Sequence, residues 1–281
     1  VSAFLLTRSS DLEIGLNRRL KGERNFTHYT KENSALPHNS VSTLTADGYG
    51  RLWIGTWGGG LSWIDIKNPK TIVRLELPPE QARLMNFIGA MAYDHINNGM
   101  WIGSNDGMFF YSFKTNQLTE PFEGCQLERG CIGSIITKDG HLWMGCMQGV
   151  VIVDLKSEKN GKFEKRAIRN LLADPNSRIV DKISSFCESS DGTLWLGSNG
   201  YGLYKRVIED DGNERFEVLT QANGLVYNGV KGIVEDRNGR LWITTQNGLS
   251  VYDPKLQAFT NYSQHDGLIS PHFYWNSAIK D

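Results

Sequence analysis

The sequence has little of what several protein classes require. No stretch approaches the ~18 consecutive apolar residues of a membrane-spanning helix. Charge of neither sign dominates: 30 Lys and Arg face 31 Asp and Glu, a formal net charge of −1. The basic excess of a nucleic-acid binder is therefore missing, and no nucleic-acid contact by this chain is expected. The densest basic run, Arg18, Arg19 and Lys21, reads as a solvated face. No G-x-S-x-G nucleophile elbow and no H-E-x-x-H helix occurs. The six His residues are scattered without metal-ligand spacing. Catalytic residues, a cofactor and a metal site are accordingly not expected. The first residues, Val1 to Leu6, lack a charged n-region and a cleavage site, so they are not read as a signal peptide.

Cysteine is scarce too, at four residues. Cys146 and Cys187 lie in apolar strand patterns, where Cys acts as a small buried hydrophobe. Cys125 and Cys131 flank a glycine-containing loop without the C-x-x-C spacing of a zinc or redox motif. That spacing is open to a small disulfide loop in an oxidising compartment, with two free thiols as the plainer reading.

What is abundant is Gly, at 30 residues, and a repeat. Trp53, Trp101, Trp143, Trp195 and Trp242 stand in R-L-W-I-G-T, G-M-W-I-G-S, H-L-W-M-G-C, T-L-W-L-G-S and R-L-W-I-T-T. Periods of about 40 to 50 residues with this character indicate propeller blades. After each Trp a glycine turn leads to an apolar residue, Leu61, Met108, Val150, Leu203 or Leu249, the distance of a strand, a tight turn and a second strand. Before each Trp lies an Asp- and Gly-containing turn, read as turn capping at equivalent places in every unit. A β-branched stretch precedes that turn, and an aromatic stretch such as Phe26–Tyr29, Phe163, Phe216 or Phe259–Tyr262 supplies a fourth strand. Four strands per unit make a propeller blade. The five Trp residues are structural, filling the wedge between neighbouring sheets. The Gly two positions later (Gly55, Gly103, Gly145, Gly197) lets the next sheet approach, and Thr244 replaces it in the last unit.

At the start, Ala3–Thr7 carries Phe4 in the Trp place and Gly15-Leu16 stands for the glycine-apolar pair, so the chain begins at the second strand of a blade. Phe273 to Asp281 reads as a first strand that closes onto this N-terminal blade. The fold expected is an all-β β-propeller of four-stranded antiparallel blades in a single domain, residues 1–281. Six blades are expected in this chain, with seven in an intact protein as the alternative.

The pattern D-x-x-G-x-L-W-I-G-T, then G-G-L or N-G-L, then an apolar-x-apolar-D strand, resembles the two-component regulator propeller repeat. It runs through Asp47 to Asp65, Asp94 to Ser112, Asp139 to Asp154, Asp191 to Lys205 and Asp236 to Asp253, with connecting motifs at Ser34 to Val41 and Asn223 to Val230. The resemblance implies a periplasmic sensor region of a hybrid two-component system of the kind common in gut Bacteroidetes. The chain would then bind an oligosaccharide, contact neighbouring domains of the same sensor, and pair with a second copy through the ectodomain. Any kinase activity would lie outside it.

Candidate ligand-binding residues are those that break the repeat. Trp57 stands in the turn T-W-G-G-G and Tyr201 in the corresponding turn N-G-Y-G. Tyr227, His272, Tyr274 and Trp275 fall in connections leading to first strands, and Arg83 and Asn86 sit in a longer connection. The general logic is that of concave sites with a few convergent polar groups. The alternatives are a protein-interaction or dimerisation scaffold, with Trp57 and Trp63 exposed in its interface, and a propeller lyase, which would need a His or acid pair at a channel mouth. The acidic turn Asp210–Glu214 lacks the alternating ligands of a calcium loop and reads as a hairpin tip.

Overall fold

The computed structural model describes residues 3–6, 15–19, 22–122, 129–169 and 181–275. Its sheets are meanders of consecutive antiparallel strands. The first blade is Val41–Ala46, Arg51–Thr56, Leu61–Asp65 and Ile72–Arg74. The second is Ile88–Asp94, Gly99–Ser104, Met108–Ser112 and Gln117–Thr119; the third is Gly133–Ile136, His141–Cys146, Gly149–Lys159 and Lys162–Arg169. The fourth is Ile183–Glu188, Leu194–Ser198, Leu203–Ile208 and Glu214–Leu219, and the fifth is Val230–Glu235, Leu241–Thr245, Gly248–Asp253 and Ala258–Tyr262. Ahead of them lies a three-stranded sheet, Ala3–Leu6, Leu16–Arg19 and Thr27–Tyr29, in which Ala3 pairs with Arg19 and Leu6 with Leu16. The all-β propeller with four-stranded antiparallel blades is thus as the repeat requires.

The blade count differs from the expectation. The described residues form five four-stranded blades, not six, and no C-terminal strand joins the N-terminal sheet among them. Phe273 instead donates its backbone N–H to the Thr245 carbonyl at 3.2 Å and residues 273–275 form no strand, while residues 276–281 lie outside the described residues. Backbone contacts divide the chain into two compact units, residues 1–131 with 155–163, and residues 132–154 with 164–281.

The reason Trp recurs is visible within each unit. In the first blade, Asp47 caps its turn with one oxygen, Oδ1, which accepts the backbone N–H groups of Tyr49 and Arg51 at 2.8 and 3.0 Å. Its other oxygen, Oδ2, accepts the Trp53 indole N–H at 2.8 Å and the Arg51 guanidinium at 2.6 Å. Asp236 does the same for Asn238, Arg240 and Trp242, and Asp94 binds the Trp101 indole at 3.1 Å. Here the structure corrects the expectation that the turn aspartates are equivalent in every blade. Asp47 and Asp236 lie six residues before their Trp, whereas Asp139 and Asp191 lie four before, and Thr137 and Ser189 take the anchoring place. Asp139 accepts from the Thr137 hydroxyl and Asp191 from the Thr193 backbone, so neither reaches an indole. In the third blade the Trp ring is instead covered by two cations, one from its own fourth strand and one from the next blade. The guanidiniums of Arg206 and Arg166 lie 4.8 and 5.6 Å from the Trp143 ring and are both held by Glu214. Glu214 closes the acidic turn, which is a hairpin tip: Gly212 donates to the Glu209 carbonyl and Asn213 to Asp211.

Successive blades meet at close quarters. A side-chain carbon built at Gly55 would lie 2.9 Å from Ile88, one at Gly145 only 2.0 Å from the Ile183 carbonyl oxygen, and one at Gly197 2.4 Å from Val230. First strands carry a bulge at the contact, between Val41 and Thr43, Ile88 and Ala90, Ile183 and Ser185, and Val230 and Gly232. In the first and fourth blades the bulged residue is a serine that reaches across. Ser42 donates its hydroxyl to the Ile88 carbonyl at 2.5 Å, and Ser184 donates to the Val230 carbonyl at 2.9 Å.

Two outcomes follow. Gly145→Ala is expected to cost about 1–3 kcal/mol through overpacking, against little change for Gly107→Ala, where the new carbon would meet Phe109 at an ordinary 3.4 Å; urea unfolding followed by tryptophan emission measures both. Burial by itself would raise the carboxyls of Asp47 and Asp236, but the indole, backbone and guanidinium donors outweigh it and hold both below the ordinary carboxylate range. A carboxyl that titrates lower in the folded chain than its unfolded value of about 3.9 stabilises the fold above that pH and loses the contribution as pH falls below it. Asp47→Asn with Asp236→Asn is therefore expected to lower stability at pH 7 by about 1–3 kcal/mol per site and to flatten the loss of stability on acidification from about pH 4. An unchanged acid slope in the double variant would refute the anchoring role.

Candidate functional site

The repeat-breaking residues gather in two clusters, one in each compact unit. In the first unit the T-W-G-G-G turn extends away from the second strand of its blade. Trp57 donates its backbone N–H to the Ser40 carbonyl at 2.8 Å and forms an isolated antiparallel bridge with Phe87. Gly58, at φ +120°, donates to the Asn86 carbonyl at 2.7 Å. A side chain there would press on the His38 ring at 3.0 Å, and one at Gly59 on the Pro37 carbonyl at 2.6 Å, so only glycine permits this packing. Asn86 follows the short helix Pro79–Leu84, which carries Arg83 exposed in its last turn. Met85 is buried in the core beneath, which fixes the connection. Trp57 and Phe87 stay 36% and 42% exposed, beside the turn that Asn86 and His38 pack against. Trp63, expected beside Trp57 on an exposed face, is instead partly buried against the core and lies under the Arg51 guanidinium at 5.6 Å.

The second unit gathers the rest around Gly229. A side chain at Gly229 would lie 3.0 Å from the Asn199 carbonyl, 3.3 Å from the Gln246 amide and 3.3 Å from the Tyr227 ring. Lys231, 7% exposed, sits at the fifth-blade bulge where Ser42 and Ser184 stand in the first and fourth. Its ammonium donates to Asn199 Oδ1 at 2.7 Å and lies 5.0 Å from the Trp275 ring; the Trp275 indole N–H donates to the same Oδ1 at 3.4 Å. His272 Nδ1 is 2.8 Å from the Gln246 carbonyl. Tyr201, 51% exposed, opens the turn in which Gly202 donates to the Asn228 carbonyl, next to Tyr227. Tyr274 remains 36% exposed. The cluster thus sets Tyr227, an indole and an imidazole beside an ammonium and two amides, with Tyr201 and Tyr274 exposed in the adjoining turn and connection. Sequence reasoning missed Lys231, Asn199 and Gln246 here, and Phe87 and His38 in the first unit. Among the described residues no group of three His, Cys, Asp or Glu side chains is placed to hold a metal, and no helix is long and apolar enough to cross a membrane. Cys131 is buried; Cys125 lies outside the described residues, so their pairing does too.

The family model of the two component regulator propeller matches residues 35–58, 177–200 and 224–247, each a connecting motif running toward or through a first and second strand. Three stretches of the chain thus match the two-component regulator propeller repeat. A histidine kinase, P4, of Formosa agariphila is 22% identical over 94% of this chain, which spans 23% of that protein. The extracellular domain assigned to a hybrid two-component system of B. thetaiotaomicron superposes with a TM-score of 0.76 at 23% identity, covering 95% of this chain and 34% of its own. A streptogramin B lyase also shares the fold, with a TM-score of 0.62 at 12% identity over 93% of this chain and 87% of the lyase. At these identities the structural likenesses show the fold alone, and this chain is about a quarter to a third of the length of the two signalling relatives.

Proposed function

We propose that this chain is a ligand-sensing part of the ectodomain of a periplasmic two-component sensor, that it responds to oligosaccharides, and that it has no catalytic activity of its own. The observation that carries the reading is the Gly229 cluster. Pyranose rings present an apolar face and a rim of hydroxyls, and they are recognised by aromatic faces beside amide and charged hydrogen-bonding groups. Tyr201, Tyr227, Tyr274 and Trp275 supply the first, and Asn199, Gln246, His272 and Lys231 the second. The repeat match and the kinase relative support the sensor setting, with neighbouring domains of the same protein and a second copy of the ectodomain as its partners.

The test is thermal unfolding against an oligosaccharide panel. A ligand at 100 times its dissociation constant stabilises the chain by about 2.7 kcal/mol. The expected outcome is a rise in midpoint with at least one glycan, abolished by Trp275→Ala with Tyr227→Ala and retained in Trp143→Phe, a structural control. Failure of every glycan to shift the midpoint removes the saccharide reading.

A further inference from the structure

The blade-to-blade interfaces within each unit are filled in different ways, and at one of them the filling is missing. Between the first and second blades, Phe113 stacks on Trp53 with centroids 5.4 Å apart and planes 9° from parallel, and the Arg51 guanidinium lies over both rings at 5.2 and 4.6 Å. Trp63 pairs across the strand with Trp53 and lines the same space. At Trp101, Phe122 stacks at 6.1 Å and Phe163 meets the ring edge-on at 4.8 Å. At Trp143 the two guanidiniums held by Glu214 cover the ring.

Between the fourth and fifth blades the corresponding residues are all smaller or thinner. Tyr252 meets Trp195 at 5.7 Å as Tyr111 meets Trp53 at 5.9 Å, so the repeats are in register. Two residues on, Pro254 stands where Phe113 does after Tyr111; Thr193 stands for Arg51, Ser189 for Asp47, and Lys205 pairs with Trp195 where Trp63 pairs with Trp53. The result is a cavity of 280 Å³ walled by Trp195, Tyr252, Phe259 and Pro254, near the lower bound of about 300 Å³ for small-ligand sites. The buried Trp195 indole N–H, lacking the Asp of the first, second and fifth turns, has no hydrogen-bond partner among the described residues. The cavity rim carries both signs: Lys205 Nζ lies 3.9 Å from Glu217 Oε2 and 5.9 Å from the Trp195 ring.

We propose that this cavity is a binding site for a small phenolic compound, whose ring takes the place that Phe113 fills between the first and second blades. A flat aromatic ring fits between an indole and an edge-on tyrosine. A hydroxyl suits the rim, because it accepts from the Lys205 ammonium and donates to the Glu217 carboxylate, whereas a carboxylate would be repelled by Glu217. The site is separate in residues from the Gly229 cluster and stands whether or not that cluster binds saccharides.

The experiment is a titration of the whole chain with 4-hydroxybenzyl alcohol and catechol, and in parallel with glucose and cellobiose, following the indole N–H resonance of Trp195 by NMR. That resonance is assigned by its disappearance in Trp195→Phe. A saturable shift with the phenols and none with the sugars is expected. Pro254→Phe and Lys205→Trp, which restore the filling residues of the first interface, are each expected to weaken phenol binding at least tenfold while leaving any glycan-induced midpoint shift intact. Absence of a saturable phenol shift, an equal shift with the sugars, or undiminished phenol binding in both filled variants overturns the proposal.

Discussion

The structure depends on a Trp side chain that is held at both ends. Its ring fills the wedge against the next blade, and at Trp53, Trp101 and Trp242 its single polar atom is satisfied within the blade that carries it. A buried indole N–H without an acceptor loses about 1–3 kcal/mol, so a carboxylate six residues upstream does two tasks at once. One oxygen of Asp47 or Asp236 closes the turn on backbone donors, and the other receives the indole and the Arg two residues before the Trp. The D-x-x-G-R-L-W string is the sequence trace of this single arrangement. Where the carboxylate moves, as in the third and fourth blades, another filling is needed, and the two blades differ in what supplies it.

The fold was legible because its determinants are local and repeated. Strand, turn and glycine positions follow from offsets of a few residues, and first strands such as Val41–Ala46 and Val230–Glu235 lie where the pattern puts them. The close approach at Gly55, Gly145 and Gly197 was legible for the same reason: only the smallest side chain tolerates a neighbour at such distances. What escaped was register at the scale of one or two residues. Asp139 and Asp191 look like Asp47 in a D-G turn, yet they sit two positions nearer their Trp, and the acceptor that a carboxylate offers at Asp47 is a Thr or Ser hydroxyl position in their blades. The sixth blade escaped for a different reason. Strand pairing between chain ends is a long-range contact that no local offset encodes, and of the expected closing strand only residues 273–275 are described, with the Phe273 N–H bonded to the fifth blade.

The candidate residues were legible one by one but not as groups. Trp57 and Tyr201 break the repeat in the turn, and both are exposed there. That Tyr227, His272 and Trp275 meet is visible only once Gly229 brings Asn199 and Gln246 against them. Lys231 carried a readable signal all the same. It follows Val230 as Ser42 follows Val41 and Ser184 follows Ile183, so alignment of the repeats alone singles it out as a long cation at a place of small hydroxyls.

That substitution ties packing to function. A serine at the bulge is short enough to donate to a carbonyl of the following blade, and so commits its hydrogen-bonding capacity to holding two blades together. A lysine at the same place carries its donor at the end of four methylene groups. It turns instead to side chains, Asn199 and the Trp275 ring, whose positions can change without breaking any sheet. The fifth blade thereby carries a charged group among aromatic and amide side chains. A repeat architecture can afford such a change at one blade because the remaining Trp and Gly contacts keep the sheets in place. Binding groups are therefore to be sought where a repeated stabilising residue has been replaced by one that cannot stabilise in the same way.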